Sequence, residues 1–199
     1  FIETSEGKIR KSSLEAVCYA HAMGGAVTAV VLGPADGSEV ESLGKYGAQK
    51  VLHATDAKLK NGIAQVYASV LTQAMKDENA DVLVLASSSL ATPVAAKVAV
   101  KTGASFAANV VELPNTSGGF VVRRSIYTGK AFAHIELKNQ KKVIVIRKNA
   151  AEVKETGGDA QVIPYSPTLN DSDFNTTILS TEKATGDILL PEAEIVVSG

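Results

Sequence analysis

Asp81-Val82-Leu83-Val84-Leu85-Ala86-Ser87-Ser88-Ser89-Leu90-Ala91-Thr92-Pro93-Val94 is the stretch whose reading decides the fold. Its first half is apolar without alternation, the pattern of a strand covered on both faces, as in a parallel sheet. The serines make a turn, and Thr92-Pro93 suits the first turn of a helix, where proline's missing N–H costs nothing. Val94, Ala95 and Val98 carry that helix to Gly103. Working back toward the start, Ile63, Val66, Tyr67, Val70, Leu71, Ala74 and Met75 form a long helical stripe. Val51-Leu52-His53 reads as a short strand, Ser38-Glu39-Val40-Glu41 as a capping box opening a short helix, and Ala26–Leu32 as a buried strand broken by Gly33-Pro34. Ser12-Ser13-Leu14-Glu15 has the same S-x-x-E spacing, followed by Leu14, Val17, Cys18 and His21 at helical intervals up to Gly24-Gly25. Strand and helix thus alternate about four times in the first hundred residues. This predicts an α/β three-layer sandwich with a mostly parallel central sheet and right-handed crossovers.

The pattern then changes. Phe106–Leu113, Phe120–Tyr127, Ala131–Leu137 and Val143–Arg147 are four strand-like runs without helices between them, joined by turn chemistry at 115–119 and 128–130. They are expected to extend the sheet in antiparallel fashion. Three parts follow: an N-terminal α/β domain over 1–148, an arm and linker with two short strands over 149–192, and the beginning of a further domain over 193–199. The closing Glu194-Ile195-Val196-Val197-Ser198-Gly199 reads as a strand entering a turn.

Composition narrows the function classes. The chain has 199 residues, of which 45% are hydrophobic and 21% charged, a globular balance. Lys+Arg number 20 against 21 Asp+Glu, so a general electrostatic grip on nucleic acid or anionic lipid is not expected. A single cysteine, Cys18, excludes an intrachain disulfide and a multi-thiolate metal centre, and reads as a small core residue. His21, His53 and His134 show no ligand spacing, so no metal is expected. No apolar run approaches membrane-spanning length.

The nucleotide fingerprints G-x-G-x-x-G and G-x-x-x-x-G-K-[ST] and the hydrolase elbow G-x-S-x-G do not occur. Ser87, Ser88 and Ser89 at a strand-to-helix junction could hold an anion with the helix's free N–H groups, or simply cap the helix, the commoner role. Lys138, Lys141, Lys142, Arg147 and Lys148 read as solvated charges guarding a strand edge. In Arg123-Arg124-Ser125-Ile126-Tyr127-Thr128-Gly129-Lys130-Ala131, alternation places the two arginines on opposite faces, and one turned toward protein needs a partner.

Arg124–Ala131 resembles the R-x-I-Y-x-G-N-A segment of electron transfer flavoprotein alpha subunits. Phe1-Ile2-Glu3, Ser13-Leu14-Glu15-Ala16, Tyr46-Gly47-Ala48-Gln49-Lys50-Val51 and Ala193–Gly199 resemble further family segments in the same order. In one place the chain departs: the family's Thr-x-x-Gly-Lys/Arg reads Ser89-Leu90-Ala91-Thr92-Pro93 here. The resemblance implies an adenine-nucleotide-hydrolase-like fold and an electron carrier with no catalytic residues of its own. It implies pairing with an electron transfer flavoprotein beta subunit, electrons arriving from flavin dehydrogenases of the acyl-CoA type used in fatty acid β-oxidation, and delivery to a quinone oxidoreductase. FAD is expected beyond Gly199 and none on residues 1–199. Arg124, Tyr127, Gly129 and Ser87–Ser89 become interface or structural candidates. Weak homo-oligomerisation of the isolated domain is expected, in a bacterial cytoplasm or, with a transit segment removed, a mitochondrial matrix. The rival reading is an adenine-nucleotide-binding, universal-stress-like module with nucleotide near Ser87–Ser89. A hydrolase or ligase of that superfamily is the third.

Overall fold

The computed structural model describes residues 1–180, with Ile195 and Val197. The remaining positions of 193–199, and residues 181–192 of the expected linker, lie outside the described residues. In chain order the elements are β1 Thr4–Ser5, β2 Lys8–Ile9, α1 Lys11–Ala22, β3 Thr28–Leu32, α2 Gly37–Ser42, β4 Lys50–Ala54, α3 Ala64–Asp77, β5 Val82–Ala86, α4 Ala91–Thr102, β6 Ser105–Val110, β7 Val121–Ile126, β8 Ala131–Glu136, β9 Lys142–Ile146 and β10 Gln161–Pro164. Short 3-10 turns fall at Leu43–Tyr46, Ala57–Leu59, Tyr127–Gly129 and Asp171–Phe174.

Two sheet portions, β10-β4-β3 and β5-β9-β6-β7-β8, lie side by side. Residues 1–2 join them: Ile2 N donates to Val30 O at 3.0 Å, and the Phe1 amine donates to Val84 O at 2.8 Å. All pairings from β10 to β6 are parallel, and β6-β7-β8 are antiparallel. The α/β expectation with helices on both faces is met. The four downstream strands, however, do not extend the edge in order. Only β7 and β8 do so, whereas β9 returns to the centre, parallel to both β5 and β6. Its Val143-Ile144-Val145-Ile146 run is fully buried, a demand only a central position meets.

The pleat of β9 divides the core. Val143 and Val145 pack with Val66, Val70, Leu71 and Val94 of α3 and α4. Ile144 and Ile146 pack on the other face with Ala16 and Tyr19 of α1, Val110 and Val122. The α3 stripe is buried as its spacing predicts. The α1 face is rotated from expectation: Ser13, Glu15, Ala16, Val17 and Tyr19 are buried, while Cys18 is half-exposed and His21 exposed. Neither expected capping box forms, because α1 and α2 are capped at Arg10 and Asp36, which puts Ser12 and Ser38 inside the helices, and side chains of both first turns bind backbone elsewhere. Ser13 Oγ accepts from Glu3 N at 2.8 Å, Glu15 accepts from Asn149 N at 2.7 Å, and Glu39 accepts from Ile9 N at 3.0 Å. Burial raises the Glu15 carboxyl above its usual range, partly offset by the Asn149 bond.

The arm contributes one strand among the described residues, β10, and then straps along α3. Tyr165 OH donates to Asp77 at 2.7 Å, Gln73 and Thr168 exchange two hydrogen bonds, and Ser69 Oγ donates to the buried Asp173 at 2.7 Å. Residues 69, 73 and 77 are four apart, so they share one face of the helix.

One pH dependence follows from Glu78, which bridges Lys50 Nζ at 2.8 Å and Thr28 Oγ1 at 2.9 Å. Chiefly the Lys50 hydrogen bond lowers the Glu78 carboxyl below its usual range. A lowered acid stabilises the fold above its ordinary pKa and loses that contribution as pH falls through the folded value. The group is partly exposed, so the contribution is expected to be about 0.5–1 kcal/mol. In urea titrations, Glu78→Gln should lag the parent near neutrality and match it by about pH 3. A gap that persists unchanged in acid would refute this account of the bridge.

Candidate functional site

The structure separates the two groups of candidate residues. The Ser87–Ser89 turn follows β5, with Ser87 N donating to Ile146 O at 2.9 Å. Ser88 Oγ accepts from Leu90 N at 3.2 Å and Ala91 N at 2.8 Å and bonds the Glu3 carboxylate. The hydroxyl therefore caps α4, and Glu3 of this chain already supplies the negative charge that a helix N-terminus favours. Ser89 stays exposed.

Arg124, Tyr127 and Gly129 come together at the β7–β8 turn. Alternation puts Arg123 and Arg124 on opposite faces, as the sequence requires. Arg123 pairs with Glu112, and its guanidinium lies 4.0 Å from the Phe132 ring centroid, so both its charge and its plane are engaged. Arg124, cross-strand from Val110 and Ala133, is different. Its Nε is buried with no hydrogen-bond acceptor, and no carboxylate pairs with it among the described residues. An unmet buried donor costs about 1–3 kcal/mol.

The turn itself is held in an uncommon shape. Tyr127, Thr128 and Gly129 have φ of 49°, 58° and 91°. Glycine takes this region freely, but Tyr127 and Thr128 each pay on the order of 1 kcal/mol for it. Tyr127 is 76% exposed, so packing of its ring does not repay that strain. A Cβ on Gly129 would sit 3.5 Å from Arg147 Nη1 and 3.8 Å from the Ser125 hydroxyl. Arg147, read from sequence as an edge charge, thus lies over the turn. The signal that could have found it is its place one residue past a buried central strand, where a side chain reaches across the neighbouring strand.

This arrangement offers cations and an exposed phenol beside a preset turn, with no nucleophile–base pair. It suits docking of an acceptor-bearing surface. Among the described residues, no group of three or more His, Cys, Asp or Glu side chains is placed to hold a metal, and no helix is long and apolar enough to cross a membrane. Doubly wound sheets hold nucleotides at the carboxyl ends of their strands. Here the Ser88–Glu3 pair places a carboxylate there, and a cavity of about 620 Å³ opens instead at the amino ends, between β3 and β5. A second cavity of about 320 Å³ lies where Cys18, His21 and Tyr46 meet the arm, and Cys18 Sγ donates to Lys154 O at 3.6 Å.

Against known proteins, the model of the electron transfer flavoprotein domain family matches residues 1–168. Electron transfer flavoprotein subunit alpha of Bacillus subtilis (strain 168) is 29% identical over 99% of this chain and 62% of its own length. The subunit of the same name from Syntrophomonas wolfei is 28% identical over 100% and 63%. A probable mitochondrial electron transfer flavoprotein subunit alpha of Caenorhabditis elegans is 28% identical over 99% and 59%. The chain spans about three fifths of the length of these relatives.

Proposed function

Because the chain belongs to the electron transfer flavoprotein domain family, we propose that it forms the N-terminal α/β domain of an alpha subunit that acts as an electron carrier, and that the β7–β8 turn docks a beta subunit. The observation that carries the docking role is the buried, acceptorless Nε of Arg124 beside a strained turn. Arg124 as a whole is only half-buried, so a partner's carboxylate or carbonyl would engage the accessible end of its guanidinium and offset the charge that the chain itself leaves unanswered. In the same reading, FAD is held by the full-length subunit outside residues 1–199, electrons arrive from flavin dehydrogenases of the acyl-CoA type, and a quinone oxidoreductase receives them. The bacterial cytoplasm is the proposed compartment and the mitochondrial matrix the alternative, the nematode relative being named as mitochondrial. The outer edge of β8 pairs with no other strand among the described residues. The isolated domain is therefore proposed to self-associate weakly through the Phe106–Arg147 region and to yield to the beta subunit.

The test replaces Arg124 by Met, which keeps the apolar stem and removes the unmet donor. The isolated chain should gain about 1–3 kcal/mol of stability, while its affinity for the beta subunit falls tenfold or more. Sedimentation with and without beta subunit reads the second effect, and added FAD should not raise the parent chain's Tm. Undiminished binding by Arg124→Met would remove the docking role. Failure of the parent to bind any beta subunit would remove the heterodimer reading itself.

A further inference from the structure

The place where a Cβ on Gly129 would stand is unfilled. The three heavy atoms nearest to it outside residues 128–130 are all hydrogen-bond donors: Arg147 Nη1 at 3.5 Å, Ser125 Oγ at 3.8 Å and Arg147 Nη2 at 3.9 Å. We propose that this cradle binds a phosphate group, free or carried by a small molecule. Each donor lies within about 1 Å of hydrogen-bonding distance from that one point, so separate oxygens of a single anion can meet them all. Gly129 keeps the cradle open, since it takes its φ of 91° without strain and puts no side chain there.

None of these donors is answered within the chain. Ser125 is only 5% exposed, yet its hydroxyl makes no hydrogen bond among the described residues. A buried hydroxyl without a partner is costly, and an arriving acceptor removes that cost. Arg147 is exposed and joins none of the ion pairs among the described residues, which involve Lys50, Arg123 and Lys138. Glu112 is engaged by Arg123. Lys130, exposed and next to Gly129 in the chain, joins none of these pairs either and adds a second positive charge at the turn. A guanidinium fork, a separate hydroxyl and two cations suit a tetrahedral dianion better than a carboxylate, whose two oxygens the fork alone would occupy. The cradle does not rest on the docking reading: alternation along β7 puts Ser125 on the face opposite Arg124, whose unmet Nε takes no part.

The experiment titrates inorganic phosphate into the chain at an ionic strength held constant with sodium chloride, and follows the Arg147 Nε–H and Gly129 amide signals by NMR. Both should shift saturably, with a Kd in the millimolar range. Arg147→Met should weaken binding about tenfold and Ser125→Ala about threefold. Lys101→Met, which removes an exposed cation at the end of α4, should leave the affinity within about twofold. Shifts that stay linear, or saturation that survives Arg147→Met, overturn the proposal. So does an equally tight response to acetate, which would make the cradle a site for a partner's carboxylate. An equal loss in Lys101→Met also overturns it, since the effect would then be one of net charge.

Discussion

An Ile144→Ala chain is expected to unfold about 3–5 kcal/mol more easily than the parent. Ile144 lies on β9 between β5 and β6, fully buried, with Ala16 and Tyr19 of α1 and Val110 and Val122 around it. Ladder bonds on both sides fix the backbone, so the walls cannot close over the lost methylenes and the cavity persists. For a chain of this size that loss lowers Tm by roughly 6–20 °C. Ile144→Val removes one methylene and should cost about 0.5–1.5 kcal/mol. Chemical denaturation of both variants checks the pair. Similar small losses in the two would mean that the site collapses, and that β9 is not the rigid centre of the sheet.

Gly44→Ala should release the arm. The reason is a close approach rather than glycine's torsional freedom: a Cβ at Gly44 would lie 2.7 Å from Asp159 Cα, which is backbone and has no rotamer to change. The neighbouring contacts are backbone bonds, Thr156 N to Lys45 O at 2.6 Å and Gln161 N to Gln49 O at 3.0 Å. Overpacking costs about 1–3 kcal/mol or more, and detaching residues 153–164 relieves it at the expense of β10. Trypsin should then cut after Lys154 at least tenfold faster than in the parent, with the central strands still protected from exchange. An unchanged cleavage rate would show that the arm is not seated against Gly44.

The elements legible in the sequence were those whose apolar pattern is decided locally. The α3 stripe from Ile63 to Met75 and the unbroken apolar runs of β3, β5 and β9 gave element type, and the parallel class with it. Order in the sheet was less legible. Placing β9 between β5 and β6 required weighing its unbroken burial against its position in the chain, and chain position misled. The capping boxes failed because the helices are capped at Arg10 and Asp36, two residues before Ser12 and Ser38, and because Glu15 found a partner in Asn149, 134 residues away in sequence, which no short window reveals. At the candidate site, the opposed faces of Arg123 and Arg124 followed from alternation alone. Which arginine would be answered within the chain did not, since Glu112 sits on a different segment. Arg147 escaped notice because its approach to Gly129 crosses the intervening strand.

The strap along α3 has a mechanical consequence. Asp77, Gln73 and Ser69 hold Tyr165, Thr168 and Asp173 in that order, so the arm runs against the direction of the helix. A force applied beyond Phe174 and directed away from the helix peels these attachments singly, beginning with Ser69–Asp173, and reaches β10 only after all have parted. The same force directed along the helix axis shears them together. The arm is thus a rope cleated at three points. Its grip depends on the angle of the load, and the strands are shielded from any tug that arrives along α3.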